Sequence, residues 1–333
     1  MQKTSIEWSD YSANLIRYRD SEGHVAWACA KVSPGCANCY SEAIARRYKR
    51  GGPFTLAQVR TMKPYFDEYE AKKILGSKKI AGKRMFVGDM TDVFGEWVPD
   101  ELLDRMFAVF ALRLDVTFQI LTKRPERMRE YMASFYREGG RLEQMMHDPE
   151  LWPKDFDSDT YERLSCLAVL PNVWLGVSME DQQRANERIT HLLQTPAAVR
   201  FLSCEPLLWP VNLEPFFQYE PFHENYKMTF GSGDFRGIDW VIAGGESGPG
   251  ARPCNVSWIR DIVKQCKDAA VPCFVKQVGS KICENASDGP AVRSWGDAIV
   301  QKNGDFVQIH LKDRKGGDLN EFPDDLKVRE YPK

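Results

Sequence analysis

Short apolar runs rich in β-branched and aromatic residues recur along the chain, and this repetition constrains its fold more than any other feature. Each run is followed by polar residues and then by a segment of helical period, which is the pattern of repeated β–α units. The predicted strands are Arg84–Gly88, Thr117–Leu121, Asn172–Val177, Val199–Ser203, Asp239–Ala243 and Pro272–Lys276. The predicted helices are Asn38–Lys49, Asp100–Arg113, Pro125–Tyr136, Gln182–Gln194 and Ser257–Ala269.

Strands that are almost wholly apolar, with helices between them, predict a parallel sheet covered on both faces by right-handed crossovers. Such a sheet curls into a barrel or stays open, and in both cases ligands bind at the carboxyl ends of its strands. We expect an α/β fold, an incomplete parallel β/α barrel over residues 1–280, with insertions at about 138–170 and 210–237. Residues 281–333 have too little apolar periodicity for a core and are expected to form an extension packed on the barrel.

The composition, 43% hydrophobic and 28% charged, is that of a globular protein able to bury a sizeable core. The chain begins without a basic segment and an apolar run, and no stretch reaches the roughly 18 apolar residues of a membrane span. A cytoplasmic location without a membrane partner is therefore expected. The net charge of −2 leaves the partner open, because a local basic face can be hidden in a neutral total.

Three of the nine cysteines lie close together, in the segment CAKVSPGCANCY, which follows the spacing C-x6-C-x2-C and in which the Pro34-Gly35 pair predicts a turn. The thiolates of Cys29, Cys36 and Cys39 could bind three irons of a [4Fe–4S] cluster and leave the fourth iron open for S-adenosylmethionine. Zinc is an alternative, but a structural zinc usually takes four protein ligands, so His24 or a distant cysteine would have to contribute. A third possibility is that the thiols are only buried.

The other six cysteines show no ligand spacing, and in a chain without a secretion signal they are expected to be reduced. Most of them are predicted to serve as small apolar residues, although Cys204 and Cys254 fall near strand ends and could line a site. The six are Cys166, Cys204, Cys254, Cys266, Cys273 and Cys283.

Nearly every predicted strand ends in polar or charged residues, on the side where a barrel places its site. Loops and helix starts are ordinarily polar, so no single one of these segments is informative. Their coincidence predicts a shared site. In the segment after the second strand, residues 122–127, the side chains of Lys123, Arg124 and Arg127 offer cations that could neutralise a carboxylate or a phosphate, or could simply be solvated. The glycine-rich segment 244–250 could receive such an anion or form a tight turn.

These motifs resemble a known family. The blocks CAKVSPGCANCYSEAIARR, FVGDMTDVFGEWVP, FQILTKRPERM, VWLGVSMEDQQRANERI, FLSCEPLL and DWVIAGGESGPGARP are similar to a phage-associated three-cysteine-motif family of unknown function, regarded as radical-SAM-like. A weaker similarity, in the order of the motifs, points to spore photoproduct lyase, which repairs a thymine dimer in DNA. The cysteine spacing departs from the commoner C-x3-C-x2-C.

The resemblance implies a barrel of the radical-SAM type that carries a [4Fe–4S] cluster and S-adenosylmethionine. Residues predicted by position to contact S-adenosylmethionine are Asp89, Thr91, Asp92, Lys123, Ser178, Glu180 and Arg188. Glu205, Glu246 and Lys276 are predicted to face the substrate.

The resemblance also implies a nucleic acid or nucleotide substrate, in DNA repair or modification, and an electron donor protein. An enzyme that acts on a base in a duplex must extrude that base, so Tyr40, Trp97 and Trp209 are candidates for aromatic contacts. The competing hypotheses are a zinc-stabilised nucleic-acid-binding protein and an iron–sulfur redox protein with four protein ligands. The sequence does not indicate an oligomeric state.

Overall fold

The computed structural model describes residues 1–137, 139–146, 164, 167–217, 237–285, 295, 298–303 and 306–332. The described residues form two compact units. The first comprises residues 1–177 and 191–200, and the second comprises residues 178–190, 201–217 and those from 237 onward. The principal sheet contains eight strands, and within each unit its strands are parallel apart from the first.

Five strands of the principal sheet belong to the first unit. Their order is β1 (Gln2–Lys3), β2 (Tyr11–Ala13), β6 (Arg84–Val87), β7 (Thr117–Thr122) and β8 (Val173–Ser178), whose last residue is counted in the second unit. The strand β1 is antiparallel to β2, and the other pairs are parallel. The carboxyl ends of β2, β6 and β7 therefore lie at one edge of this sheet.

A small antiparallel sheet lies within the same unit and carries the chain into and out of the cysteine segment. Its order is β4 (Val25–Ala26), β3 (Ile16–Arg19) and β5 (Lys63–Phe66). The helices of the unit are α1 (Tyr40–Arg47), α2 (Leu56–Arg60), α3 (Glu68–Gly76), α4 (Asp100–Ala111), α5 (Pro125–Tyr136) and α6 (Arg141–Met146).

The core of the first unit is aromatic where α4 and α5 meet. Phe107, Phe110, Phe118, Tyr131 and Phe135 are buried, and their rings contact one another in tilted, edge-on and stacked pairs. Rings of this size bury a large apolar area, so this cluster is a major source of stability for the unit. It fixes α5, which begins directly after β7.

The second unit contains three further strands of the principal sheet, β9 (Val199–Cys204), β10 (Trp240–Gly244) and β12 (Cys273–Gln277), with β10 in the middle. The first two residues of β9 are counted in the first unit. The helices that alternate with these strands are α7 (Gln182–Leu193), α8 (Glu214–Phe217) and α9 (Val256–Asp268), and α9 packs on β10 and β12. The last three residues of α7 are counted in the first unit.

A second sheet in this unit uses residues that the sequence did not predict as strands. Its order is β11 (Cys254–Asn255), β13 (Ile282–Asn285), β15 (Phe306–His310) and β14 (Ile299–Asn303). The tail then returns to β12, where the backbone N–H of Val275 donates to the carbonyl of Val328. Polar residues interrupt the apolar ones in β13, β14 and β15, so these strands lack the continuous apolar run by which the others were predicted.

The predicted alternation is confirmed: each of the six expected strands begins and ends within one residue of its observed bounds. Two helix starts differ. The helix α1 begins at Tyr40 because Cys39 has extended backbone angles, and α9 begins at Val256 because the side chain of Asn255, not of Ser257, accepts the capping hydrogen bond. The insertions predicted at 138–170 and 210–237 lie largely outside the described residues.

The chain therefore has a mixed α/β fold with a mostly parallel sheet. Closure of that sheet towards an incomplete barrel, and the domain boundary at residue 280, stay predictions. In the part of the chain that the structure describes, no helix combines the length and apolar character needed to cross a membrane.

Candidate functional site

The three clustered cysteines lie on one loop between β4 and α1. Pro34–Cys36 forms a short 3-10 turn that folds the loop back, as the Pro34-Gly35 pair predicted, and Cys39 is the N-cap residue of α1. The thiols of Cys29, Cys36 and Cys39 are all free and half-buried. A loop with this shape keeps three potential thiolate ligands partly accessible.

The residues that follow β6 hold this loop at both ends. The hydroxyl of Thr91 donates to the carbonyl of Ala28, 2.6 Å away, directly before Cys29. After Cys39, the hydroxyls of Tyr40 and Ser41 donate to the carbonyl of Asp89 at 2.6 and 2.7 Å. The segment 89–91, which the sequence assigned to S-adenosylmethionine, therefore contacts the cysteine loop directly.

The carboxylate of Asp89 points to the end of β2. The side-chain N–H of Asn14 donates to it, and the side-chain oxygen of Asn14 accepts from the backbone N–H of Met90, 3.2 Å away. Burial raises the pKa of Asp89, and hydrogen bonds from Asn14 and Ser12 oppose the rise. Asn14 thus orders the turn after β6, a role that the sequence did not reveal because it precedes the first predicted strand.

Asp92 joins the end of β6 to the end of β7. One carboxylate oxygen accepts from the hydroxyl of Thr122 at 2.7 Å, and the other accepts from the backbone N–H of Lys123 at 3.0 Å. The side chain of Asp92 therefore links the turn after β6 to the turn that carries Lys123. This contact brings two predicted site residues, Asp92 and Lys123, together at one edge of the sheet.

Arg124 is buried, with 6% of its surface exposed, although the sequence grouped it with Lys123 as a cation for ligands or solvent. Its guanidinium donates to the carbonyl of Ala30 and to a carboxylate oxygen of Glu96, each at 3.0 Å, and lies 4.6 Å from the ring centre of Trp97. The structure therefore corrects the expectation that Arg124 offers its charge to an anion. Arg124 instead binds the backbone of the cysteine loop at Ala30, one residue after Cys29.

The thiol of Cys29 lies in a low-dielectric environment, and the positive charge of Arg124 favours its thiolate form. Burial raises the pKa of Cys29 to about 12, and the negative charge of Asp92 adds to the rise. The backbone N–H of Asp92 and the charge of Arg124 act in the opposite direction and favour the thiolate. A metal deprotonates a coordinating thiol outright, so these two groups would support a metal-bound Cys29.

Tyr18 and Trp97 complete the wall behind Cys29. Tyr18 is fully buried, accepts a hydrogen bond of 2.8 Å from the indole N–H of Trp97, and has its hydroxyl 3.3 Å from that of Thr91. Burial raises the pKa of Tyr18 to about 12. Trp97, which the sequence offered as an aromatic contact for a base, thus packs under Arg124.

The donor set fits a [4Fe–4S] cluster in its chemistry. Each cysteine of such a cluster binds a different iron, so its sulfurs need not converge on one point. Among the described residues, no three His, Cys, Asp or Glu side chains are arranged to hold a single metal ion. The suggested fourth zinc ligand, His24, has a largely exposed ring beside Asp20 and Glu22. Three thiols on one loop fit the three protein ligands of such a cluster, and zinc stays the alternative.

The remaining predicted site residues lie in the second unit, where they form ion pairs. Arg188 donates to the carbonyl of Ser178 at 2.6 Å and to the carboxylate of Glu180 at 3.1 Å. Both members of this pair are buried, and Glu180 has no exposed surface. The hydroxyl of Ser178 donates to the carbonyl of Glu205 at 3.1 Å. Ser178, Glu180 and Arg188 thus form one connected group.

Glu205 and Lys276 face each other at the carboxyl ends of β9 and β12. Their charged atoms are 3.1 Å apart, and the hydroxyl of Ser203 lies 3.3 Å from the other carboxylate oxygen. A Cβ atom at Gly244 would come within 2.8 Å of Glu205, so the glycine permits this approach. The pair is half-buried, which leaves part of Lys276 accessible.

Glu246 closes its own glycine-rich loop. Its two carboxylate oxygens accept from the guanidinium of Arg252 at 2.6 and 2.9 Å, and one also accepts from the backbone N–H of Arg252 at 2.8 Å. These contacts favour the tight-turn interpretation of segment 244–250.

The structure thus brings together the first-unit residues Asp89, Thr91, Asp92 and Lys123 with the cysteine loop, and separately groups the second-unit residues. That both groups line one cavity stays a prediction. Cys204 and Cys254 are fully buried, and Cys166 lies outside the described residues. Tyr40 is half exposed, and Trp209 is largely exposed and stacks on Trp258 with ring centres 6.3 Å apart.

Comparison with known proteins places residues 3–320 in a family model described as a protein of unknown function (DUF5131). No curated protein matches the sequence. Among solved structures, a tyrosine-to-phenylalanine mutant of spore photoproduct lyase is similar, with a TM-score of 0.38 and 8% identity. The match covers 93% of this chain and 71% of that chain. A similarity this weak carries no argument about activity.

Proposed function

The chain belongs to the DUF5131 family of proteins of unknown function, and we propose that it is an iron–sulfur enzyme of the radical S-adenosylmethionine type. The observation that carries the proposal is the loop with Cys29, Cys36 and Cys39, whose thiols are free and half-buried. When bound, a reduced [4Fe–4S] cluster would supply the electron that splits S-adenosylmethionine and yields a 5′-deoxyadenosyl radical.

The residues around the loop would bind and orient the cofactors. The three cysteines would hold three irons, while Thr91 and Arg124 fix the carbonyls of Ala28 and Ala30 on either side of Cys29. A fixed loop keeps the ligand geometry and excludes water from one side of the site. The rigid contacts of Thr91 and Arg124 are therefore what we expect of residues that support a cluster.

For S-adenosylmethionine we propose contacts from Asp89, Asp92 and Lys123 at the ends of β6 and β7. Lys123 follows β7 on the same edge of the sheet, is half-buried, and offers an ammonium group to a carboxylate. We further propose that Ser178, Glu180 and Arg188 contact this cofactor, and that Glu205, Glu246 and Lys276 face a nucleic acid or nucleotide substrate. Lys276 and Glu205 are the half-buried charges of that group. An electron donor protein would be the second partner.

The first test is anaerobic reconstitution followed by iron and sulfide analysis and visible absorption. We expect about four irons and four sulfides per chain, with broad visible absorption. Replacing Cys29, Cys36 or Cys39 by Ala should abolish the cluster, whereas Cys283→Ala, a half-buried cysteine in β13, is the matched control and should leave it in place. One tightly held zinc per chain, with no cluster in protein kept anaerobic, contradicts the proposal.

The second test follows S-adenosylmethionine. The reduced, reconstituted protein should form 5′-deoxyadenosine. Lys123→Ala should weaken equilibrium binding of S-adenosylmethionine roughly tenfold or more without loss of iron, since a hydrogen bond to a charged group is worth about 1.5–3 kcal/mol. Lys83→Ala, an exposed lysine before β6, is the control. A stable cluster without any 5′-deoxyadenosine would favour a redox protein over an enzyme of this type.

A further inference from the structure

Residues 23–66, which surround the cysteine loop in the sequence, are strongly basic. They contain seven Lys and Arg residues and a single acid, Glu42, in a chain whose net charge is −2. All seven cations are exposed: Lys31, Arg46, Arg47, Lys49, Arg50, Arg60 and Lys63. Glu42 is buried and forms ion pairs with Lys31 and Arg46, so it does not offset the charge of the other five. The segment is thus a local positive surface that the net charge hides.

Helix α1, within this segment, turns its large apolar side chains outward. Tyr40 and Ile44 of the helix and its C-cap residue Tyr48 recur every four residues and are 52%, 38% and 63% exposed, whereas Glu42 and Ala45 are buried. The apolar stripe of a surface helix normally faces the core. The exposed stripe of α1 is therefore placed to contact a partner.

The rings of this stripe stand beside cations. The guanidinium of Arg47 lies 5.8 Å from the ring centre of Tyr48, and Lys49 and Arg50 follow directly. Among the described side chains, no acid lies within ion-pair distance of Arg47, Lys49 or Arg50. Tyr40 is held by the hydrogen bond from its hydroxyl to Asp89, so its ring is a fixed platform.

The stripe begins at the cysteine loop, since Cys39 is the N-cap residue of α1. A ligand bound along α1 would therefore have one end beside the proposed cluster ligands. Aromatic rings alternating with cations are the surface that binds a polynucleotide strand, because each base has a face that can stack and each phosphate a charge.

We propose that the exposed face of α1, with Lys49 and Arg50, binds a single polynucleotide strand. Its bases would stack on Tyr40 and Tyr48, and its phosphates would pair with Arg47, Lys49 and Arg50. That the bound strand is the substrate rests on the proposed function, but the binding of the strand does not require a cluster. A membrane surface fits less well, because the helix has only eight residues and one exposed aliphatic side chain, Ile44.

The test uses the full-length chain, metal-free and reconstituted, with labelled single-stranded DNA and RNA of one sequence in anisotropy titrations over a range of salt. Removing the charges with Arg47→Gln, Lys49→Gln and Arg50→Gln together should lower the slope of log affinity against log salt by roughly 2, at about 0.7 per phosphate contact. Tyr48→Ala should weaken binding roughly fivefold or more, with little change in slope. The DNA and RNA arms identify which polynucleotide is bound more tightly.

The matched control is the pair Tyr69→Ala and Lys73→Ala on α3. This pair is also an exposed ring with a cation, 4.1 Å from the ring centre, but it lies outside the basic segment. Its affinity and salt slope should equal those of the unmodified chain. Equal losses in the control and the α1 variants, or no strand binding at low salt, would overturn the inference.

Two further measurements separate the possible failures. Retention on vesicles with anionic lipid headgroups, without binding to either oligonucleotide, would assign the stripe to a membrane and overturn the inference. Iron content is measured on the same samples. If the unmodified chain binds the strand but assembles no cluster on reconstitution, this inference is supported and only the proposed function is defeated. If the chain assembles a normal cluster but binds no strand, this inference is defeated and the proposed function stands.

Discussion

The predicted site residues of the two units use their charges differently. In the first unit, the polar side chains after β6 and β7 direct hydrogen bonds to the backbone of the cysteine loop, as Thr91 does to Ala28 and Arg124 to Ala30. In the second unit, they pair with one another, as Glu180 does with Arg188 and Glu246 with Arg252. Strand ends thus supply polar residues in both units. Among the predicted site residues that the structure describes, those of the first unit hold the loop that carries the three cysteine thiols.

This comparison shows that a polar group at a strand end has two possible uses. Two buried charges that pair with each other need no further partner, and they contribute chiefly to the folding stability of their own unit. A side chain that binds loop backbone leaves the loop's functional groups available for a ligand. The half-buried pair of Glu205 and Lys276 is intermediate, since part of Lys276 is accessible. Substitutions that affect stability and ligand binding separately should distinguish these uses.

The largest stability effect is expected for Glu180→Ala. The change leaves the charge of Arg188 buried without its partner, which costs about 3–5 kcal/mol of unfolding free energy. Chemical denaturation measures the loss, and iron content should be retained. Asp268→Ala is the control, because its pair with Lys264 is exposed and should contribute little to stability. A stable Glu180→Ala chain that no longer binds S-adenosylmethionine would instead make Glu180 a cofactor contact.

The next effect is expected for Arg124→Gln, and it should appear mainly in the cluster. The change removes the charge that favours the Cys29 thiolate and the hydrogen bonds to Ala30 and Glu96, each worth about 1.5–3 kcal/mol. We expect iron content to fall by more than half and the cluster's reduction potential to shift, with partial rescue by Arg124→Lys.

Arg127→Gln, three residues along α5, provides the matched control for Arg124, since Arg127 pairs with Asp100 away from the cysteine loop. Its iron content and potential should be those of the unmodified chain. If Arg124→Gln has the same iron content and reduction potential as Arg127→Gln, the charge of Arg124 does not support the cysteine loop. The contrast between the two units would then be wrong.

A smaller effect is expected for Thr91→Val. The change keeps the shape of the side chain and deletes the donor to Ala28, which costs about 1–2 kcal/mol because a buried carbonyl loses its partner. Thr91→Ser keeps the hydroxyl and should restore both stability and iron content. Urea titration and iron analysis check these outcomes, and an unchanged cluster in Thr91→Val would limit Thr91 to ordinary packing.

The smallest effect concerns pH. Burial raises the pKa of Asp89, so the folded chain holds this proton more tightly than the unfolded chain does. The stability from Asp89 is therefore complete below its usual pKa near 4 and is lost as pH rises through the raised value. Asp89→Asn should have a melting temperature that falls less as pH rises above 4. An identical pH profile for both chains would show that Asp89 is not desolvated.

The sequence determined the elements whose pattern is local. Six strands were predicted within one residue because a run of apolar residues specifies a buried strand wherever it occurs. The cysteine loop was found by spacing alone, and its turn by Pro34 and Gly35. The strands from β1 to β5 have either two residues or a mixture of polar and apolar residues, so they lack the apolar run by which β6, which is also short, was recognised.

Only the tertiary structure decided what the polar residues do. Arg124 and Lys123 are neighbours in sequence, yet one is buried against Ala30 and Glu96 while the other is half exposed. Tyr18 and Asn14 reach Thr91 and Asp89 across more than seventy residues. A local pattern fixes which face of an element is apolar, but a hydrogen bond or an ion pair depends on which distant side chains the fold brings within about 3 Å.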